Sequence, residues 1–340
     1  MNGLKVFFAS PANIISNGLD TFIFNFGSQI DYFKQIAFFF IMLPIKIGLQ
    51  FSVSPYTWGF ELTPSLVSGY FIFMGLLAIW LFIRGSKNLS IGIILFSIFF
   101  YFGLTNMPWL PLILIYGLIG YKIGGLSLAL SIILGLSFIT LTGVLPQALL
   151  SIYLCGIAVI VSFLIGSSLG IWAAHNDRVS AFMRPINDTM QTMPSFVILI
   201  PFVMIFKIGE FTALLAIIAY AFVPAMRYTE HGLRNLPETV VEAAKMIGCS
   251  KSQLLWKVKI PLAFPVIMLG LNQTIMFGLA MLVIAALVGT TGLGQLIYIG
   301  LSKANFGLGM IAGVSIAIIA ILFDRVTQAL KIKLEKNYNR

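Results

Sequence analysis

Residues 242–261 read EAAKMIGCSKSQLLWKVKIP, and residues 262–288, directly after them, read LAFPVIMLGLNQTIMFGLAMLVIAALV. The second stretch carries no charged side chain, and none follows until Lys303. At 1.5 Å of rise per residue, about 20 apolar residues cross ~30 Å of hydrocarbon, so 262–288 predicts a membrane span. The first stretch is its opposite. Lys245, Lys251, Lys257 and Lys259 crowd into it, with Glu230, Glu238 and Glu242 close by in the chain. A polar island between hydrocarbon spans is placed to touch something soluble.

The rest of the chain repeats this contrast. Of its 340 residues, 59% are hydrophobic and only 9% charged, with a mean hydropathy of +1.00. Soluble domains carry about 25% charged residues. The fold class is therefore all-α, a polytopic helical membrane protein. A transmembrane barrel would alternate apolar and polar residues, whereas these apolar runs are continuous. The net charge of +10 does not call for nucleic acid, because the positive residues sit at the ends of apolar segments rather than on one soluble face. Cys155 lies in an apolar run and Cys249 in the island, which argues against a disulfide and against a metal cluster. No metal site, cofactor or catalytic residue is expected on this chain. The apolar patch near the N-terminus is too short for a signal-peptide core.

The pattern predicts spans at about Leu66–Ile83, a short pair between Asn88 and Tyr121 hinged at Thr105 to Pro108, then Leu126–Leu141 after a turn at Gly124-Gly125. Further spans are expected at Ala148–Ala174, Ser195–Phe206, Thr212–Met226, Leu262–Val288 and Phe306–Phe323, giving about seven to nine in all. Gln35 to Ile45 is too short to cross and is flanked by Lys34 and Lys46. It reads as an interfacial helix with Phe38, Phe39 and Phe40 in lipid, or else as a tilted or broken span. The domain organisation expected is an N-terminal extracytoplasmic segment (1–64), accessory helices (65–142), a core (143–330) containing the loop 230–261, and a tail (331–340). Alternating the spans with the island inside leaves only Lys5, Lys34, Lys46, Lys207 and Lys303 of the 21 positive residues outside. That asymmetry predicts a cytoplasmic island and C-terminus and an external N-terminus.

Within the island, Asn235 can cap a helix that carries Pro237 and Glu238 in its first turn and stops at Gly248. Ser250 can cap a second helix, with Gln253 completing a capping box. Pro261 and Pro265 mark the start of the next span, and Leu255, Trp256 and Val258 brace the pair of helices against the membrane. Such a bent, projecting element fits either a docking role or a plain helical loop.

Glu242-Ala243-Ala244, three residues, Gly248, nine residues, Val258, one residue, then Ile260-Pro261 resembles the EAA loop of ABC-importer permeases, E-A-A-x3-G-x9-I-x-L-P. Only Val258 and Ile260 depart from that pattern, both by apolar exchanges. Arg184-Pro185, Met190 to Val197, Asn272-Gln273-Thr274, Gly292 to Gln295 and Asp324 to Gln328 are similar to signatures of the glycine betaine/proline permeases. The resemblance covers roughly residues 108 to 330, while residues 66–104 and the N-terminal tail have no counterpart. It implies a type I ABC-importer permease fold in the inner membrane of a prokaryote. It also implies ATPase coupling through Glu242, Ala243, Ala244, Gly248, Val258, Ile260 and Pro261. The implied partners are two ATPase subunits, a second copy of the chain, and a periplasmic or lipid-anchored substrate-binding protein.

Gln191, Thr192, Pro194, Asn272, Gln273 and Thr274 are the candidate pathway residues, because polar groups within apolar spans need a partner or a wet cavity. Each equally suits interhelical hydrogen-bonding glue. Gly289 to Gly294 lacks the Lys-Ser/Thr of a phosphate loop and reads as a tight turn at the outer mouth. His175 to Arg178 reads as a solvated loop and Asp324-Arg325 as an anchor at a span end. With no Walker A motif in the chain, an ATP-driven mechanism needs a separate ATPase. The rivals are an ion-coupled carrier of small zwitterions, a permease for another small amine or amino acid, and an intramembrane enzyme. The first wants ionisable groups at mid-membrane, which the long charge-free runs disfavour. The last wants a catalytic constellation that the spans lack.

Overall fold

A backbone amide in hydrocarbon has no water to bond, so the apolar runs close their hydrogen bonds within helices. The computed structural model describes residues 2–51, 64–84, 90–95, 97–98 and 109–338, and no strand occurs among them. The chain divides into two compact units, residues 1–45 with 147–340, and residues 46–146.

The first unit begins with α1 (Asn2–Ala37), which passes through a π turn (Phe38–Met42) into α2 (Leu43–Phe51) without a break. The segment Gln35 to Ile45 is thus the junction of a longer helix rather than a helix of its own. The π turn lies just ahead of Pro44, whose ring would clash with the carbonyl four residues back in a regular helix. Phe39 and Phe40 are exposed while Met42 is fully buried. Lys34 donates its ammonium to the Phe206 carbonyl at 3.1 Å, and the Phe33 ring meets Phe211 edge-on at 6.1 Å.

In the second unit, α3 (Pro64–Ile83) accepts a bond from Ser90 Oγ at the Ala78 carbonyl, 2.8 Å. The next helical stretch, α4 (Trp109–Leu141), breaks at Gly125, where φ is 78° and ψ −165°. The chain doubles back there, so that a Cβ on Gly120 would lie 2.5 Å from Ile132. This is the turn expected at Gly124-Gly125. The hinge expected at Thr105 to Pro108 lies outside the described residues.

The remaining helices are α5 (Leu145–His175), α6 (Asp177–Thr192), α7 (Ser195–Phe206), α8 (Glu210–Arg234), α9 (Glu238–Met246), α10 (Lys251–Gln253), α11 (Ile260–Ala285), α12 (Leu293–Ser302) and α13 (Phe306–Tyr338). The axes of α6 and α7 differ by 104° across Met193-Pro194. A proline pushes the residue before it out of the helical region, and Met193 is accordingly extended. Among the described residues, five helices are able by length and composition to cross a membrane, or six if α6 and α7 form one broken span. Val67–Ile83 and Leu293–Ser302 are shorter apolar helices.

Helix α8 is the centre of the core. Ala213, Ala216, Ile217, Ala221, Val223, Ala225 and Met226 on it are fully buried. Glycines let its neighbours approach to backbone contact. A Cβ on Gly166 of α5 would stand 2.5 Å from the Phe222 carbonyl oxygen, and one on Gly170 would stand 2.6 Å from that of Met226. On the other side, Gly270 of α11 packs on Tyr228, and Gly278 on Val159 and Cys155. Small residues four apart are what association in lipid requires, since dispersion rather than water exclusion drives it.

Replacing Gly170 with leucine is expected to cost about 1–3 kcal/mol by overpacking against backbone that cannot yield. Gly313→Ala, with nothing within 4 Å of the added carbon, should be neutral or stabilising. Thermal unfolding of the two purified variants in detergent checks the pair.

Candidate functional site

The island is a set of helix ends, each closed by a specific residue. Asn235 does not open α9, as expected, but closes α8. Its backbone N–H and its side-chain amide both donate to the His231 carbonyl, at 3.1 and 2.9 Å. Ion pairs hold α8 helical as far as Arg234, so the next residue serves as its C-cap, and Pro237 takes the N-cap position of α9. At the far end of α9, Gly248 adopts φ 87°. Its N–H bonds the Lys245 carbonyl at 3.0 Å, and Cys249 N–H bonds that of Ala244 at 3.2 Å. These two bonds make a Schellman closure. Two residues on, the capping box is complete. Gln253 N–H donates to Ser250 Oγ at 3.3 Å and Ser250 N–H to Gln253 Oε1 at 2.9 Å.

After the box the chain runs on into α11, which starts at Ile260 where the prolines suggested. A π turn, Leu254–Lys259, joins α10 directly to α11, with Ile260 N–H bonded to the Leu255 carbonyl. The widened turn precedes Pro261, which sits in the first turn of α11 where its missing N–H is tolerated. Within the protein Leu254 is buried, while Trp256 is 63% exposed. Val258, Ile260 and Pro261 are half-buried, and Ile260 packs with Leu236 onto the cluster of Leu233, Ala263 and Ile267. Glu242 and Ala243 are exposed and Ala244 is buried. Met246 and Ile247, beside Gly248, are 90% and 84% exposed.

A polar junction roots the island. Asn176 caps α6, its side chain accepting from Arg178 N–H at 3.0 Å, and Asp177 pairs with Arg234 at 2.8 Å. Arg234 also binds Glu230 at 2.9 Å and the Ala173 carbonyl at 2.6 Å. Glu230 takes a further bond from Ser180 at 2.6 Å. The segment His175 to Arg178 is solvated as expected, but it is a tight helix junction rather than a loop. Arg227 pairs with Asp188 one level further along the same two helices. Of these pairings only Glu230–Arg234 had a signal in the sequence, its spacing of four on one helix face.

The candidate pathway residues fall into two groups. Gln191 and Thr192 end α6, and Pro194 lies in the bend; all three are exposed. Thr192 donates to the Asp188 carbonyl at 2.9 Å. On α11, Thr274 is fully buried between Gly270 and Gly278, with its hydroxyl returned to the Gly270 carbonyl at 2.8 Å, so it belongs to the packing face. Gln273 is half-buried. Asn272 is tied to α13 instead. Its amide donates to Asp324 Oδ1 at 2.7 Å, and its oxygen accepts from Thr327 at 3.2 Å. Gln328 donates to both Asp324 oxygens at 2.8 Å. Asp324 is thus more than an anchor at a span end. It cross-links two helices, a contact with no signal in either segment alone.

At the other end of the core, Gly289 and Gly292 have φ of 82° and 126°. Leu293 N–H donates to Ser151 Oγ at 2.8 Å, and Thr291 donates to Glu210 at 2.8 Å. The Gly289 to Gly294 stretch makes the expected tight turn and close helix approach.

Residues 166–336 match the model of the family described as binding-protein-dependent transport system inner membrane component. The chain belongs to this family. It is 39% identical over 226 residues to a glycine betaine/proline betaine transport system permease protein of Escherichia coli, covering 66% of this chain and 64% of that one. It is 37% identical over 237 residues to a glycine betaine transport system permease protein of Bacillus subtilis, covering 70% and 84%. A trimethylamine N-oxide transport system permease protein of Pelagibacter ubique is 44% identical over 217 residues, covering 63% and 30%. The chain thus spans under two thirds of the length of the Escherichia coli relative and under a third of the Pelagibacter ubique one. The family match covers every helix from the second half of α5 to α13, and so includes the whole island and both groups of candidate pathway residues. The expected all-α, polytopic membrane fold and the expected resemblance both stand.

Replacing Asn272 with leucine leaves Asp324 short of a charge-assisted donor and is expected to cost about 1–3 kcal/mol. Thr327→Val, which removes the longer bond, should cost less. Melting temperatures in detergent order the two.

Proposed function

We propose that this chain is the membrane permease of an ATP-driven importer for small methylated zwitterions of the glycine betaine kind. The single observation that carries the reading is the island's geometry. Two helices meet at fixed angle around Gly248, closed on one side by a Schellman turn and on the other by a capping box. An exposed apolar pair, Met246 and Ile247, stands at the tip among Lys245 and Lys251. A rigid, apolar-tipped projection on an inner-membrane transport component is suited to seat in a cleft of a soluble subunit. For ATP-driven transport that subunit is the ATPase, since the chain carries no Walker A motif of its own.

Continuity supports the coupling role. From Ser250 through the π turn into α11 the helix has no flexible joint. Displacement of the Glu242–Pro261 element by closing ATPases would therefore tilt α11 directly. Two copies of the chain would form the pathway between them, each docking one ATPase, with a substrate-binding protein delivering solute on the opposite face. The distribution of lysines and arginines favours a cytoplasmic island and C-terminus and an external N-terminus.

The solute class follows the relatives' names: glycine betaine, proline betaine and trimethylamine N-oxide each pair a methylated cationic nitrogen with an anionic oxygen. A molecule with no net charge crosses a mostly uncharged pathway at low cost, which agrees with the charge-free run of α11 and α12.

Gly248→Val is expected to abolish solute uptake while the permease still reaches the membrane. An added Cβ meets nothing within 4 Å, so the damage comes from the left-handed backbone, which is costly for a β-branched residue. Gly248→Asn, tolerant of that conformation, should retain a substantial share of uptake. Uptake assays with membrane abundance measured in parallel check both, and normal uptake by Gly248→Val would remove the coupling assignment.

A further inference from the structure

Helices α6 and α8 flank an open cleft of about 590 Å³ next to the island's root. That falls within the size range of small-molecule sites. Arg184 and Asp188 line it from α6, and Arg227, Tyr228, Glu230 and Arg234 from α8. The lining carries both signs of charge, and its groups differ in what they have left to offer. Arg234 is saturated by Asp177, Glu230 and the Ala173 carbonyl, and Arg227 is engaged by Asp188. Arg184 has no ion pair or side-chain hydrogen bond among the described residues. A guanidinium presents a planar fork that matches a carboxylate. Asp188 keeps an exposed carboxylate edge, its side chain being 67% exposed. Tyr228 is held in place by its Cβ contact with Gly270 of α11.

These leftovers are complementary to one chemistry. A phosphate or other polyanion would meet the carboxylates of Asp188 and Glu230 and be repelled. A simple cation would face three arginines. A zwitterion satisfies both sets. Its carboxylate pairs with Arg184, while a quaternary ammonium, which has no N–H to donate, needs a carboxylate at a distance or an aromatic face. Asp188 and Tyr228 supply one of each. Arg184 and Asp188 share one face of α6 with the candidate pathway residue Gln191, at spacings of four and three.

We propose that this cleft is a transit site on the permease itself for a small zwitterion bearing a carboxylate and a quaternary ammonium, with Arg184 holding the former and Asp188 and Tyr228 the latter. It deepens the reading under Proposed function and rests on it. The site is a low-affinity stage between delivery and release, and selection at it requires both charged ends of the solute.

The test is equilibrium retention of radiolabelled glycine betaine by the purified full-length chain in detergent, without ATP or other subunits. Wild type is expected to retain label that excess unlabelled glycine betaine displaces and that choline, which lacks the carboxylate, does not. Arg184→Gln should weaken retention at least tenfold and Arg184→Lys less. Tyr228→Leu should weaken it while Tyr228→Phe keeps it. Absence of displaceable label at millimolar glycine betaine overturns the proposal, as does wild-type retention by both Arg184→Gln and Tyr228→Leu. Arg184-dependent co-purification of an anionic phospholipid in place of betaine also overturns it. Uptake of glycine betaine by vesicles carrying the wild-type importer separates the two levels. Import together with any of the overturning results removes only the transit site, whereas no import removes the parent reading.

Discussion

Close approach of backbones around α8 is the constraint on which the structure depends. Gly166 and Gly170 of α5 leave no room for a side chain against α8, and Gly270 and Gly278 of α11 do the same toward Tyr228 and α5. In lipid, helices gain nothing from shedding water, so contact area and short interatomic distances have to supply the association. The three helices therefore behave as one packed body. Fixing them also sets the position of everything attached to their ends: the α6 junction, the island and the root of α11.

The ends of that body carry its polar chemistry. Where α5, α6 and α8 converge, Arg234 gathers Asp177, Glu230 and the Ala173 carbonyl. These partners converge on one guanidinium, so the junction acts as a single unit. The island leaves from this unit and returns into α11 without a joint. On the reading proposed, that is how a push on a soluble-facing tip reaches helices that line a pathway: the chain on either side of α9 is braced through Leu236 and Ile260 on the cluster of Leu233, Ala263 and Ile267, and the π turn transmits rather than absorbs. On the opposite face, Lys34 caps α7 at Phe206 and Ser151 receives the Leu293 amide, so that end is tied down as well.

Local chemistry was legible in the sequence, and tertiary pairing was not. Gly248 and the Ser250–Gln253 box announced themselves because each is a short-range device whose spacing is its mechanism. The glycine turn at 124–125 and the bounds of α7 were legible for the same reason. Asn235 misled, because a cap residue suits either side of a helix boundary and only the Arg234 ion pairs decide which helix claims it. The prolines at 261 and 265 did mark the start of α11, but the π turn that joins it to α10 left no trace in composition. Asp324 bonding Asn272 across 52 residues, or Arg227 meeting Asp188 across 39, leaves no local trace. Thr274 looked like its polar neighbours Asn272 and Gln273 in sequence, yet helix rotation puts it on the packing face.

The central claim is that ATP hydrolysis on a separate subunit drives a methylated zwitterion through this chain. Its most direct measurement is accumulation of radiolabelled glycine betaine by proteoliposomes holding the permease with its ATPase and binding protein, with ATP and ion gradients varied independently. The account predicts accumulation that requires hydrolysable ATP and persists when sodium and proton gradients are collapsed. Accumulation without ATP that follows an imposed ion gradient would contradict it.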